Sequence, residues 1–217
     1  MVRTFVLVAA VLAACSGART PAAQTASTSP LYAKLFERGA RWTFDVVQVT
    51  TAVRPPGPPT SQPRSPVTCS VERVRTIGRA RVAYVTCTGA EDLATGMHPP
   101  AGIYAASERG LWWFDVSDEA RAIRAADTGL EAREMIVSAN APARHVDWVQ
   151  RRHGELEHFD IIDEVRGDAR CATCTASVPD SPPNLAGYEL CLRGGALASI
   201  VFFYGSFTRY ELRYTAR

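Results

Sequence analysis

Residues 67–76 read VTCSVERVRT and residues 80–88 read ARVAYVTCT, with IGR at 77–79 between them. In both runs β-branched, aromatic and cysteine side chains alternate with polar ones, the two-residue period of a strand with one buried face. Centring a hairpin on Gly78 sets Val71 opposite Val85 and Cys69 opposite Cys87. That register predicts a cross-strand disulfide between Cys69 and Cys87, and it makes the chain a sheet of strands paired with their sequence neighbours.

The neighbouring segments extend the same pattern. On the N-terminal side RWTFDVVQVTTAV (41–53) sets Trp42, Phe44 and Val46 against Thr43 and Asp45, which predicts a strand. RPPGPPTSQPRSP (54–66) carries six prolines in thirteen residues and reads as a long exposed loop outside any ladder. Before them LYAKLFERG (31–39) reads as one or two helical turns, with Leu31, Leu35 and Phe36 on one side and Gly39 as the stop, capping a sheet or barrel.

Downstream, AGIYAAS (101–107) and GLWWFDV (110–116) read as two more strands, and SDEARAIRAADT (117–128) as a helix capped by Ser117 and stopped by Gly129. HVDWVQRR (145–152) and ELEHFDIIDEVR (155–166) form a hairpin turned at Gly154. ALASIVFFY (196–204) and FTRYELRYT (207–215) form another around Gly205 and Ser206. That turn would put Val201, Phe203, Tyr210, Leu212 and Tyr214 on one apolar face, with Phe202 paired to Arg209 and Ile200 to Glu211. The expected fold is mainly β: a single antiparallel meander of about eight to ten strands, a curved sheet or barrel-like, with one or two short helices.

The start, MVRTFVLVAAVLAAC, has one basic residue, Arg3, followed by an uncharged apolar run from Thr4 to Ala14. Eleven residues of helix rise about 16 Å, too short for a hydrocarbon core of roughly 30 Å. The run therefore reads as an export signal rather than an anchor. Leu12, Ala13, Ala14 and Cys15 match, position for position, the lipobox of bacterial lipoproteins, and the N-terminus resembles that signal class. The resemblance implies cleavage before Cys15, a diacylglyceryl thioether on its sulfur and acylation of the new amino group, which supplies the two or more chains that stable anchoring needs. Ser16, where an Asp would favour inner-membrane retention, implies sorting to the outer membrane, with the domain facing the periplasm or the cell surface. Residues 16–30, SGARTPAAQTASTSP, have the composition of a flexible tether and reach about 50 Å when stretched. The expected organisation is a signal at 1–14, a lipidated Cys15 and tether at 15–30, and one β-rich domain at 31–217. That domain resembles uncharacterised envelope lipoproteins, without a motif that fixes a family.

Net charge is +2, and of 24 basic residues only Lys34 is lysine. The arginines are scattered, so neither charge nor patterning suggests a nucleic-acid partner. An exported chain meets an oxidising compartment, so the cysteines behind Cys15 are expected in disulfides. Besides Cys69 and Cys87 there remain Cys171, Cys174 and Cys191, and we pair Cys174 with Cys191, with Cys171 as the alternative partner. CATC (171–174) is formally a redox or zinc motif. However, no strand-then-helix pattern surrounds it, and His145, His153 and His158 lack a finger-like spacing. Asp160, Asp163, Glu164 and Asp168 beside those histidines form an acidic stretch that reads as a solvated strand edge. Trp112 and Trp113, adjacent on a strand, point to opposite faces, and one of them is a candidate to line a ligand pocket.

The functional expectation is a non-enzymatic, outer-membrane-anchored interaction or envelope-structure module that uses no cofactor or metal and has a protein partner in the envelope. One alternative is a carrier for an apolar ligand, with an interior pocket lined by residues such as Trp113 and Phe203. The other is a thiol oxidoreductase using Cys171 and Cys174.

Overall fold

A computed structural model of the chain describes residues 28–53, 55–89, 100–140, 143–152, 155–177 and 185–217. Among the described residues twelve strands form one antiparallel sheet: β1 (Arg41–Ala52), β2 (Thr60–Ile77), β3 (Ala80–Thr88), β4 (Gly102–Ala106), β5 (Gly110–Phe114), β6 (Val137–Ser138), β7 (Arg144–Arg152), β8 (Glu155–Arg166), β9 (Ala169–Ser177), β10 (Leu185–Arg193), β11 (Ala196–Gly205) and β12 (Thr208–Ala216). Each strand pairs with its sequence neighbours, except that β1 also pairs with β12, and β6 and β7 are the two edges. The edges are joined by a short link, so the sheet curls into a nearly closed barrel whose seam lies between them.

The opening hairpin pairs Cys69 with Cys87 and Val71 with Val85. Glu72 then bulges out of β2, so the register shifts and Ile77 faces Ala80 across a turn at Gly78 and Arg79. Gly78 takes φ +55°, a conformation that costs side-chain-bearing residues energy.

Two strands, β9 and β10, had no clear signal: β9 reads ARCATCTAS, with no large side chains to show a period. The Pro-rich reading is corrected in its second half. β2 begins at Thr60, and Pro63 lies opposite Val47 in a ladder with β1. β3 pairs with β2 only from Thr68 onward, so the 60–66 part of β2 has one open side. Proline is tolerated there because its missing N–H can face that open side.

The C-terminal hairpin is also corrected. Tyr204 faces Tyr210, Phe202 faces Leu212 and Ile200 faces Tyr214. Ile200, Phe202, Leu212 and Tyr214 therefore point inward, while Val201 and Phe203 share the outer face with Glu211 and Arg213. The turn is wider than two residues because Gly205 still pairs with Leu185 of β10. The three-residue difference in register moves the apolar face of β11 from its odd to its even residues.

The barrel interior is filled by inward residues such as Phe44, Val46, Val85, Leu190, Leu212 and Tyr214. One end, here called proximal, is plugged by a 3₁₀ segment, Pro30–Phe36, which buries Tyr32, Leu35 and Phe36. The Tyr32 hydroxyl donates to the Ser107 carbonyl at 3.2 Å, the Lys34 amide donates to Gly195 at 2.9 Å, and Arg81 donates to the Phe36 carbonyl at 2.7 Å. Outside the barrel, helix α1 (Glu119–Thr128) lays Ala122 and Ala126 over Val82, Ile103 and Trp112 of β3–β5. The helix starts two residues later than Ser117: the Asp115 carboxylate accepts from the Ser117 amide at 2.8 Å, and a single 3₁₀ turn (Val116–Asp118) leads into α1.

Side chains bridge the seam. Asp163 of β8, fully buried, accepts from the Ser138 amide of β6 at 2.7 Å and forms a bidentate pair with Arg170 of β9. Arg144 of β7 donates to the carbonyls of Ala132 and Met135 just before β6. A carboxylate and a guanidinium thus occupy positions where a closed ladder would place backbone partners.

Candidate functional site

The seam is incomplete along its length. β6 pairs only with Gly110 and Leu111, so the continuation of β5 toward the distal end faces β7 across a gap. In that gap lies a cavity of about 210 Å³. Its walls are aromatic. Trp148 of β7 and Phe159 of β8 are direct cross-strand partners, with rings stacked at 5.1 Å and 12°. Trp113 of β5 meets Tyr188 of β10 edge-on at 5.3 Å. The Trp148 indole N–H donates to Gln150 at 3.4 Å. Gly102 makes room for the opposite wall, since a Cβ there would come within 2.1 Å of the Trp113 indole nitrogen.

The rim is charged. Asp115, Asp118 and Glu134 line it together with Arg121, which pairs with Glu134 at 2.6 Å and reaches Asp118 at 3.9 Å. Beneath the cavity the described side chains pack closely. The void among Tyr104, Leu190, Ile200 and Phe202 measures about 10 Å³, no more than one water needs.

The two adjacent tryptophans split as strand geometry requires. Trp113 lines the cavity, whereas Trp112 is buried on the outer face beneath α1, with its indole N–H donating to the Glu131 carbonyl at 2.9 Å. Trp112 is therefore not a ligand-lining residue, and Phe203 faces outward, under Arg209 at 4.6 Å. The expected interior pocket lined by Trp113 and Phe203 is corrected: Trp113 lines the small cavity at the seam and Phe203 does not.

Disulfides join Cys69 to Cys87 and Cys171 to Cys191. The pairing of Cys174 with Cys191 is corrected: Cys191 stands directly opposite Cys171, and Cys174 opposite Tyr188. Three residues apart on a strand, Cys171 and Cys174 point to opposite faces, so CATC does not form a redox pair. Cys174 is a free thiol on the cavity wall. Burial pushes its pKa up to about 12 and also raises that of its hydrogen-bond partner Tyr188. A raised pKa leaves little thiolate at mildly alkaline pH, so iodoacetamide at pH 8.5 should modify Cys174 roughly 10³-fold more slowly than an ordinary cysteine. Following the Cys174 peptide by mass spectrometry, native and in urea, checks this. Equal rates in the two states would show an open, ordinary thiol.

The acidic stretch does not converge. Asp160 pairs with His145 at 2.6 Å on the outer face, Glu164 with Arg166 and Asp168 with Arg193, while Asp163 points inward. His158 lies 3.7 Å from Asp147, and among the described residues no three His, Cys, Asp or Glu side chains gather as metal ligands. Cys15 and His153 lie outside the described residues. Trp148, Phe159, Tyr188, Arg121 and Glu134 belong to no sequence motif. Their only local sign was the alternation of Val146, Trp148 and Gln150 on one strand face.

No protein-family model matches the chain, and no curated protein matches it. Among solved structures it is similar to one described as "a putative lipoprotein from Parabacteroides distasonis ATCC 8503", at 9% identity and a TM-score of 0.35, covering 87% of this chain and 97% of that one.

Proposed function

We propose that the chain is a lipoprotein anchored in the outer membrane through Cys15, and that its barrel is a non-enzymatic module that meets a protein partner in the envelope. The lipobox match at Leu12–Cys15 supports the anchor. One observation supports the interaction role: the polarity of the barrel. The chain enters at the proximal end, where Tyr32, Leu35 and Phe36 close the mouth. The strand ends joined by the connections 53–59, 89–101 and 178–184 are all at the distal end, on the same side as the seam cavity. A tether attached to the plugged end leaves the opposite end free to face away from the bilayer, and connections on a rigid scaffold are where recognition concentrates.

Cys15→Ser should move the protein from the membrane to the soluble fraction, and continued retention would overturn the anchor. A photo-crosslinking residue at exposed Phe207, distal, should capture an envelope protein in cells, whereas one at Asp168 in a proximal turn should not. Capture from Asp168 alone would reverse the proposed orientation.

A further inference from the structure

The seam cavity combines two features that select one kind of ligand. Its walls present the rings of Trp113, Trp148, Phe159 and Tyr188, whose faces carry negative quadrupole potential. Its rim sets three carboxylates, Asp115, Asp118 and Glu134, against one guanidinium, Arg121. Both features attract positive charge and disfavour an anion. Arg144, near Cys174, donates to the Ala132 and Met135 carbonyls and lies close to the Asp163 carboxylate, while its Nε is buried without a hydrogen-bond partner among the described residues.

A bare metal ion would need converging oxygen, nitrogen or sulfur donors. Among the described residues no such group of side chains exists. A weakly hydrated alkylated ammonium needs none: its methyl groups pack on ring faces while its charge stays close to carboxylates. The cavity, at about 210 Å³, holds a small head group but not a long acyl chain.

We propose that the cavity between β5 and β7 binds a small organic ammonium of the quaternary, choline-like type. Trp148, stacked on Phe159, forms one wall, Trp113 against Tyr188 forms the other, and Asp115, Asp118 and Glu134 complement the charge. The assignment does not depend on the partner or orientation proposed above. Free choline and the phosphocholine of a lipid head group share the ammonium, but the acidic rim favours the one without a phosphate.

The test uses the full-length lipidated protein in dodecylmaltoside at fixed ionic strength, with tryptophan emission as the readout. Choline should give a saturable change. Its neutral isostere 3,3-dimethylbutan-1-ol should bind roughly tenfold more weakly, and phosphocholine should also be weaker than choline. Trp148→Leu should abolish the choline response and Trp148→Phe should keep much of it. Arg121→Gln, on the exposed rim, should strengthen binding roughly threefold. No saturable response to choline, or equal binding of the alcohol, would overturn the assignment. Phosphocholine binding as tightly as choline, or Arg121→Gln weakening choline, would overturn the role of the carboxylates.

Discussion

Asp163→Ala is expected to cost about 3–5 kcal/mol and to lower the thermal midpoint by roughly 10 °C. The carboxylate is fully buried and Arg170 is only 7% exposed, so removing the acid leaves a guanidinium in the barrel wall without its bidentate partner. It also takes the acceptor from the Ser138 amide of β6. The two losses separate experimentally. Asp163→Leu combined with Arg170→Met removes both charges and should recover much of the stability, because a buried ion pair contributes little net and it is breaking it that costs. Recovery should stop short by the roughly 1–3 kcal/mol of the unsatisfied amide. Denaturant unfolding of the three proteins measures this. A loss below about 1 kcal/mol for Asp163→Ala would mean that the seam is not closed by this cluster.

Phe36→Ala should be comparably severe, about 3–5 kcal/mol, the range for truncating a buried phenylalanine. Phe36 is 2% exposed in the proximal plug, with Arg81 over its ring at 5.6 Å. Unlike a residue on a strand, it is held by a short segment without a ladder of its own, so its loss should loosen Tyr32 and Leu35 and admit water to the barrel interior. The diagnostic is a dye that reports exposed apolar surface. It should bind the variant under conditions where the protein remains folded by circular dichroism. A variant with unchanged midpoint and no dye binding would show that the plug covers a mouth already closed by the strands.

What could be read in the sequence was local. The hairpins at 67–88 and 145–166 and the strands at 102–114 announce themselves through two-residue alternation and short turns, because both partners lie within one window of chain. The split of Trp112 and Trp113 also followed from strand geometry alone. β9 escaped because Ala, Cys and Thr give no hydrophobic period, and Pro63 misled because a local rule does not know which side of a strand has a neighbour. The C-terminal hairpin failed on its turn: Gly205 and Ser206 form a plausible two-residue loop, and only β10, which holds Gly205 in the ladder, excludes it. The cavity was beyond reach for a related reason, since its walls come from β5, β7, β8, β9 and β10 and meet only once the sheet has curled. For the disulfide, composition narrowed Cys191 to two partners, and the β9–β10 register chose Cys171.

The ladder between β1 and β12 has a kinetic meaning. Every other pairing joins strands adjacent in sequence, so β1–β6 and β7–β12 are two half-sheets assembled from local contacts. Only β1 and β12 join them into one sheet, bringing together groups such as Asp45 and Arg217, 172 residues apart. Closing that span carries the largest chain entropy in the molecule, and its contacts contribute only after it has closed. The two halves are thus free to form early, and the barrel exists only once the two ends of the chain have found each other. Until β12 arrives, the half made of β1–β6 has the open side of β1 unpaired.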